Sequence, residues 1–305
     1  MRRGRLRWIA AYWGREDKPM RRWRIVIVVA GALLAACAAW WAWSLHGRQG
    51  LRAAMQRATI LEREGRSHEA ELVSRSALRR WPRVGALHYG LGVALLSQGR
   101  YDEAASEFRT AAHLQPNSAW PHLGLGRVAQ AQGDLQRAVE AYQRAASLEP
   151  GLAKARLLLG DALAAQHRYE AAVAAFREGV RLDPRAVGAR IDWGGALAEL
   201  GRLDEAASVL RGAIVRDPGQ ARAHYNLAGV LYRQRQFAEA AAEYRAALRL
   251  DPQDVDAHVH LSATLFHVGD YAGAWEQVHA AQRLGGKIKP ASLAALRAKT
   301  PEPKG

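Results

Sequence analysis

The strongest constraint on what this chain can fold into is a period of 34 residues. Pro82, Pro116, Pro150, Pro184, Pro218 and Pro252 follow one another at that spacing without slippage. Windows of the same length laid from Leu51, Gly85, Ala119, Ala153, Val187, Ala221 and Val255 carry alanine at the twentieth place every time: Ala70, Ala104, Ala138, Ala172, Ala206, Ala240 and Ala274. Alanine is 62 of 305 residues, so seven such coincidences would arise by chance on the order of once in 100,000 trials. A unit this short cannot bury a hydrophobic face alone; it folds by stacking on its neighbours.

The other places of the window say what the unit is. The eighth is small throughout (Ala58, Gly92, Gly126, Gly160, Gly194, Ala228, Ser262), as is the twenty-seventh (Ala77, Ala111, Ala145, Gly179, Ala213, Ala247, Ala281), whereas the twenty-fourth is mostly large (Phe108, Tyr142, Phe176, Leu210, Tyr244, Val278). Small residues on one helix facing large ones on the next let two helices approach and interdigitate, so each window predicts a helical hairpin. Gly65, Gly99, Gly133, Gly201 and Gly269 recur at the midpoint, where a left-handed residue ends the first helix. His167 and Arg235 stand there instead in two windows, and those turns are expected to be strained or differently capped. The proline near each window's end stops the second helix.

This arrangement resembles the tetratricopeptide repeat (TPR) family, on the spacing displayed best by Leu91-Gly92, Tyr101, Ala104, Phe108, Ala111 and Pro116. The resemblance implies an all-α fold, a right-handed α-solenoid of seven hairpins over 51–84, 85–118, 119–152, 153–186, 187–220, 221–254 and 255–284. The first copy has Arg57, Ser67 and Ser74 where apolar residues belong, which suits a polar capping repeat. After Gly285-Gly286, residues 285–305 predict a cap helix over Ala291 to Lys299 and a frayed tail from Thr300 to Gly305.

Charge is distributed very unevenly. Of the formal net +15, residues 1–24 contribute a surplus of seven, the segment after Leu284 a surplus of four, and the 234 positions between Leu51 and Leu284 only three. The basic character belongs to the ends, so the repeats lack the cationic stripe that nucleic-acid binding requires. Following the basic block, residues 25–45 contain no charged side chain, a length that matches a membrane's hydrocarbon core. Trp23 at one end and Trp40, Trp41 and Trp43 at the other sit where indoles favour the headgroup region. The expectation is one N-terminal transmembrane helix over 25–45, with a basic cytoplasmic tail over 1–24. The positive-inside rule then places the repeats in the periplasm of a bacterial cell, on the outer face of the inner membrane.

A second reading of the same segment is a lipoprotein signal. Leu34-Ala35-Ala36-Cys37 resembles a lipobox, Cys37 is the only cysteine, and a start at Met20 would give basic, apolar and small-residue parts in order. The apolar AAWWAW that follows Cys37 argues for the uncleaved helix, since a lipoprotein tether is polar. Gly31, Ala35 and Ala39 have the spacing of a helix-pairing face, an expectation of self-association in the membrane. A single cysteine excludes both a disulfide framework and a multi-cysteine zinc site.

No catalytic motif is present: the chain lacks HExxH, GxSxG, a P-loop and a GxGxxG following a strand. His88, His122, His224 and His258 share the fourth place, but neighbouring hairpins hold equivalent places at least about 8–10 Å apart, too far for two imidazoles to share a metal. They are expected to be packing residues, and neither a cofactor nor a metal is expected. What remains is a binding face. In TPR proteins the first helices line the concave side. The stripe left free by the packing places carries Arg222, Tyr225, Asn226, Tyr232 and Arg233 in the sixth window, a composition typical of recognition sites. Trp120, Arg127 and Lys154, then Asp192 and Glu199, extend it. The expected partners are other proteins or extended peptides, and the expected role is a non-catalytic adaptor for a cell-envelope complex. A cytoplasm-facing regulator of an envelope enzyme and a non-catalytic enzyme subunit are the competing roles.

Overall fold

The computed structural model describes residues 48–303. The basic tail 1–24, the apolar segment 25–45 and Cys37 lie outside the described residues, and among those described no helix is long and apolar enough to cross a membrane. The described residues form fifteen helices and no strand. The chain divides into two compact units with the boundary after Arg83.

The first unit holds one hairpin, α1 (residues 48–63) and α2 (Ser67–Arg80). Ala58, Leu61, Ala70 and Ala77 form its buried seam. Its polar substitutions divide: Arg57 stands in solvent, whereas Ser74 is 1% exposed and belongs to the interior.

The second unit stacks six hairpins and a final helix. The first helices of these hairpins are α3 (Gly85–Ser97), α5 (Trp120–Ala131), α7 (Ala153–Ala165), α9 (Val187–Glu199), α11 (Ala221–Arg233) and α13 (Val255–Val268). Their partners are α4 (Tyr101–Leu114), α6 (Leu135–Leu148), α8 (Tyr169–Leu182), α10 (Leu203–Arg216), α12 (Phe237–Leu250) and α14 (Tyr271–Arg283), and α15 (Pro290–Arg297) closes the stack. Each helix packs on its sequence neighbours, and first helices also touch one another, α3 on α5, α7 on α9 and α9 on α11.

The hairpins close as the window places predict. A Cβ built on Gly92 would stand 2.7 Å from the Phe108 ring, one on Gly160 2.6 Å from Phe176, and one on Gly194 2.6 Å from Leu210. Phe108 also faces Gly124 of the next hairpin, where a Cβ would come within 2.5 Å. The large residue is thus a wedge that locks its own first helix and, at Phe108, the following one. Phe108, Tyr142 and Phe176 are all fully buried. The Tyr142 hydroxyl donates to Gln130 Oε1 at 2.9 Å, and burial pushes its pKa up to about 12, as expected for a phenol sealed from water.

Three of the four fourth-place histidines tie the two helices of a hairpin. His88 Nδ1 lies 2.6 Å from Glu107 Oε2, His224 Nδ1 2.6 Å from Glu243 Oε2 and His258 Nδ1 2.7 Å from Gln277 Oε1, each across the two helices of its hairpin. No group of three or more metal-ligating side chains is brought together among the described residues.

Two of the midpoint turns use the wrong residue for their backbone. Gly99 and Gly133 adopt φ of 76° and 79°, and the next amide reaches back across the helix end, Arg100 N to Leu95 O at 2.9 Å and Asp134 N to Ala129 O at 2.9 Å. His167 and Arg235 adopt φ of 58° and 64° and complete the same bonds, Arg168 N to Leu163 O at 2.9 Å and Gln236 N to Leu231 O at 2.9 Å. The cap is unchanged and the strain is accepted. Because a side chain in the left-handed region costs roughly 1–2 kcal/mol and glycine does not, Arg235→Gly is expected to raise stability by about 1 kcal/mol after the loss of unfolded-chain stiffness. His167→Gly is expected to gain less, since His167 Nδ1 is 2.8 Å from the Tyr169 hydroxyl. A urea midpoint unchanged or lowered in Arg235→Gly would show that this turn is not strained.

The C-terminus departs from expectation. The cap helix forms, one residue ahead of the expected start, with Leu296 buried. The described residues after it, up to 303, are held in place: Trp275 Nε1 donates to the Thr300 carbonyl at 3.3 Å, and Glu302 takes Arg297 Nη2 at 2.9 Å and His279 Nε2 at 3.2 Å. Arg297 first and His279 second hold the Glu302 carboxyl below the usual carboxylate range. A sequence rich in Lys and Pro predicts a loose end; the buried Trp275 indole, which needs an acceptor, gives this one a place to dock.

Candidate functional site

On the face formed by the first helices, three recesses run along the array and share walls. The first, about 430 Å³, is lined by Asp161 of α7, Asp192 and Glu199 of α9 and Asn226 of α11, with Phe176 and Tyr169 of α8 below. The second, about 370 Å³, takes over Glu199 and Asn226 and adds Tyr225, Tyr232 and Arg233 of α11, with His260 of α13. The third, about 510 Å³, takes over Tyr232 and His260 and continues through His267 to Lys287, Lys289 and the inner side of α15. Shared wall residues set the three in succession along one groove face.

Helical phase explains the lining. Asp192, Asn226 and His260 occupy the sixth place of three successive windows, and Tyr225 the fifth. The seventh and eighth places of these windows, such as Leu227 and Ala228, face inward and are buried, which leaves the fifth, sixth and ninth on the open side of the helix.

The sixth-window residues are brought together, and four of the five are already engaged. Arg222 Nη1 binds Asp192 Oδ1 at 2.9 Å and so neutralises a carboxylate of the preceding hairpin. Arg233 Nη1 donates to the Ala198 carbonyl at 2.6 Å, at the end of α9 where a cation complements the helix dipole. The Tyr225 hydroxyl meets His260 Nδ1 at 3.1 Å, and its ring packs edge-on to Tyr244 and to His260, each at 5.7 Å. Tyr232 packs edge-on to Phe237 at 5.3 Å and to His267 at 5.6 Å. Burial, with Asp256 and Asp254 nearby, raises the Tyr225 phenol above its ordinary pKa. The rings therefore form a fixed platform, with little rotamer freedom left to lose on binding.

Trp120, Arg127 and Lys154 lie on other first helices and outside the walls of this groove. Lys154 Nζ stands 5.9 Å from the Trp120 ring, and Trp120 is 40% exposed, edge-on to Tyr89 at 6.2 Å. Arg127 is exposed.

The residue that sequence reasoning missed is Asp161. It is half-buried, and burial, with Asp192 adding to it and Arg222 opposing, pushes its pKa up to about 6. A signal was available: Asp161 holds the ninth place of its window, the place Arg127 holds in the window before. What sequence could not show is that its neighbours, Asp192 and Glu199, come from another hairpin. Lys287 and Lys289 belong by sequence to the basic C-terminal surplus, and in the fold they line the end of the groove.

The comparisons with known proteins agree with this architecture. No curated protein matches the chain. Among solved structures the fold is similar to YrrB, a TPR protein with an unusual peptide-binding site, at 22% identity and a TM-score of 0.54 over 60% of this chain and 95% of that one. It is similar to PilF of Pseudomonas aeruginosa at 20% identity and a TM-score of 0.60, over 71% of this chain and 97% of that one. It is also similar to MamA of Desulfovibrio magneticus RS-1 at 23% identity and a TM-score of 0.52, over 55% of this chain and 94% of that one. At these identities the likeness is one of fold. The tetratricopeptide repeat model matches residues 55–119, 123–187, 191–255 and 230–292, most of the chain, and the chain belongs to the tetratricopeptide repeat family.

Proposed function

We propose that this protein is a non-catalytic adaptor that captures an extended segment of a protein partner in the groove between Asp161 and Lys289. TPR proteins bind other proteins or peptides. The observation that carries the reading here is the run of recesses with shared walls across four hairpins, with a preformed aromatic platform at its centre. Grooves of this kind place a few rigid aromatic anchors where desolvation is greatest. The peptide-binding site of YrrB is a fold-level parallel and supports the same role.

The adaptor is proposed to be held at the bacterial inner membrane by residues 25–45, with the repeats in the periplasm, serving assembly of an envelope complex. Support comes from the uncharged run and the basic surplus before it. A reporter fused after Gly305 is expected to be active only outside the cytoplasm; activity only inside would overturn this orientation and favour the cytoplasmic regulator. Palmitate labelling that disappears in Cys37→Ser would replace the uncleaved helix with a lipid anchor.

Capture itself is tested by crosslinking in native membranes followed by mass spectrometry. Tyr225→Ala with Tyr232→Ala is expected to reduce partner recovery at least about tenfold, the loss usual for central aromatic anchors, while circular dichroism stays that of the wild type. Undiminished recovery by a folded double variant would move the capture surface elsewhere.

A further inference from the structure

The groove is electrically polar along its length. At the α7–α9 end stand three carboxylates, Asp161, Asp192 and Glu199, against one cation, Arg222, already bound to Asp192 at 2.9 Å. At the α13–α15 end stand Lys287, Lys289, His260 and His267, and no carboxylate lines that recess. Both lysines are exposed. Between the ends lies the Tyr225 and Tyr232 platform. Asp256, near Tyr225, is not among the recess walls.

We infer that the groove takes an extended peptide in one direction only, with a lysine or arginine side chain in the Asp161–Asp192 recess, an apolar or aromatic residue on the tyrosine platform, and an acidic residue beside Lys287 and Lys289. This rests on the reading of the groove as the capture surface and adds to it the chemistry of the ligand and its polarity. Charge complementarity carries the step. A reversed peptide would set its cation against two lysines and its carboxylate against three acids, and like-charge juxtaposition is how interfaces reject wrong registers. The dimensions agree: three first-helix spacings of about 8–10 Å come to roughly 24–30 Å, which eight or nine extended residues at about 3.3 Å each would span.

The acidic recess also lacks something a cation would supply. Asp161 is half-buried beside a second carboxylate, an arrangement that penalises its ionised form. The groups facing it are Tyr142 from α6, Tyr169 from α8, Asp192 and Glu199 from α9, and Arg222 and Asn226 from α11. Arg222 is the one cation among them, and Asp192 holds it. A guest ammonium or guanidinium would favour ionised Asp161, so protonation of Asp161 competes with binding. With the free carboxyl titrating near 6, affinity is expected to fall as pH drops through that value.

The test uses the full chain in detergent micelles and two fluorescein-labelled nonapeptides of identical composition, KKAAFAAEE with its charges segregated and KEAAFAAEK with them mixed at each end, read by fluorescence anisotropy. The segregated peptide is expected to bind at least about tenfold more tightly than the mixed one at pH 7.5 and low salt. Its affinity is expected to weaken between pH 7 and pH 5, and in Asp161→Asn to be lower at pH 7 and to lose that weakening. Lys287→Glu with Lys289→Glu is expected to erase the preference between the two peptides; neither change touches a buried side chain, and circular dichroism confirms folding. Equal binding of both peptides overturns the polarity and leaves the capture surface standing. Binding of neither peptide overturns the assigned ligand chemistry, whereas failure of the capture reading itself is seen separately, in partner crosslinks indifferent to Tyr225 and Tyr232.

Discussion

Phe176→Ala is expected to cost about 3–5 kcal/mol and to split the unfolding of the array into two steps. Phe176 is fully buried, its ring sits where a Cβ on Gly160 would be 2.6 Å away, and it shares a recess wall with Gly195 and Ala196 of the next hairpin. Removing the ring opens a cavity between helices that cannot close, because the backbones of α7 and α8 are held apart by the other wedges on either side. In a solenoid, stability is a sum of units and nearest-neighbour interfaces, so a weak interface in the middle lets each half unfold on its own. Phe176→Leu is the control. Leu210 fills the same place in the next window, also fully buried against a glycine, so leucine is expected to lose much less and to keep a single transition. Urea unfolding followed by circular dichroism and by hydrogen exchange reads both quantities. A single transition for alanine, with a loss below about 1 kcal/mol, would mean that the aromatic wedge does not hold the hairpins together.

Trp275→Ala is expected to cost a similar amount, about 3–5 kcal/mol, with its effect confined to the end of the array. Trp275 is fully buried in a cluster with Leu261, Leu265, Val278 and Leu296, and it also holds the C-terminal segment through Thr300. Without it α15 loses its floor and residues 298–303 lose their latch, since the Glu302 contacts to Arg297 and His279 are exposed ion pairs worth little alone. Limited proteolysis is expected to remove the segment beyond Gly286 from the variant while the hairpins up to α12 stay protected. Protection equal to the wild type would show that α15 docks without the indole. The same variant tests whether the third recess depends on α15, because Lys287 and Lys289 lie on the connection that this helix holds in place.

The hairpins themselves were legible because packing repeats. Gly92 against Phe108, Gly126 against Tyr142, Gly160 against Phe176 and Gly194 against Leu210 are one contact made four times, and a contact that recurs at a fixed spacing leaves a periodic trace. The strain at His167 and Arg235 was legible for the same reason, as a break in a glycine series. The exposed stripe could be found by subtracting the packing places, and it located Tyr225, Asn226 and Tyr232 on the groove. It does not carry the electrostatic state of those residues. Arg222 is ion-paired to Asp192; Asp161 shares its recess with two carboxylates of the next hairpin; Trp120, Arg127 and Lys154 share the stripe but not the groove. These outcomes depend on pairs such as Asp192 with Arg222, 30 residues apart, that occur once and leave no period.

Sequence alone therefore determined the unit, its number of copies, the place of every turn and the near-neutral charge of the array, since all of these follow from the chemistry of one hairpin and its repetition. Tertiary structure alone decided which side chains face each other across neighbouring hairpins, that the groove runs from carboxylates to lysines, and that the C-terminal segment is latched rather than loose. The division has a physical basis. Packing within a repeat is set by volumes that every copy must satisfy, whereas the field inside the groove comes from charges that differ from copy to copy and act only after stacking brings them within a few ångströms.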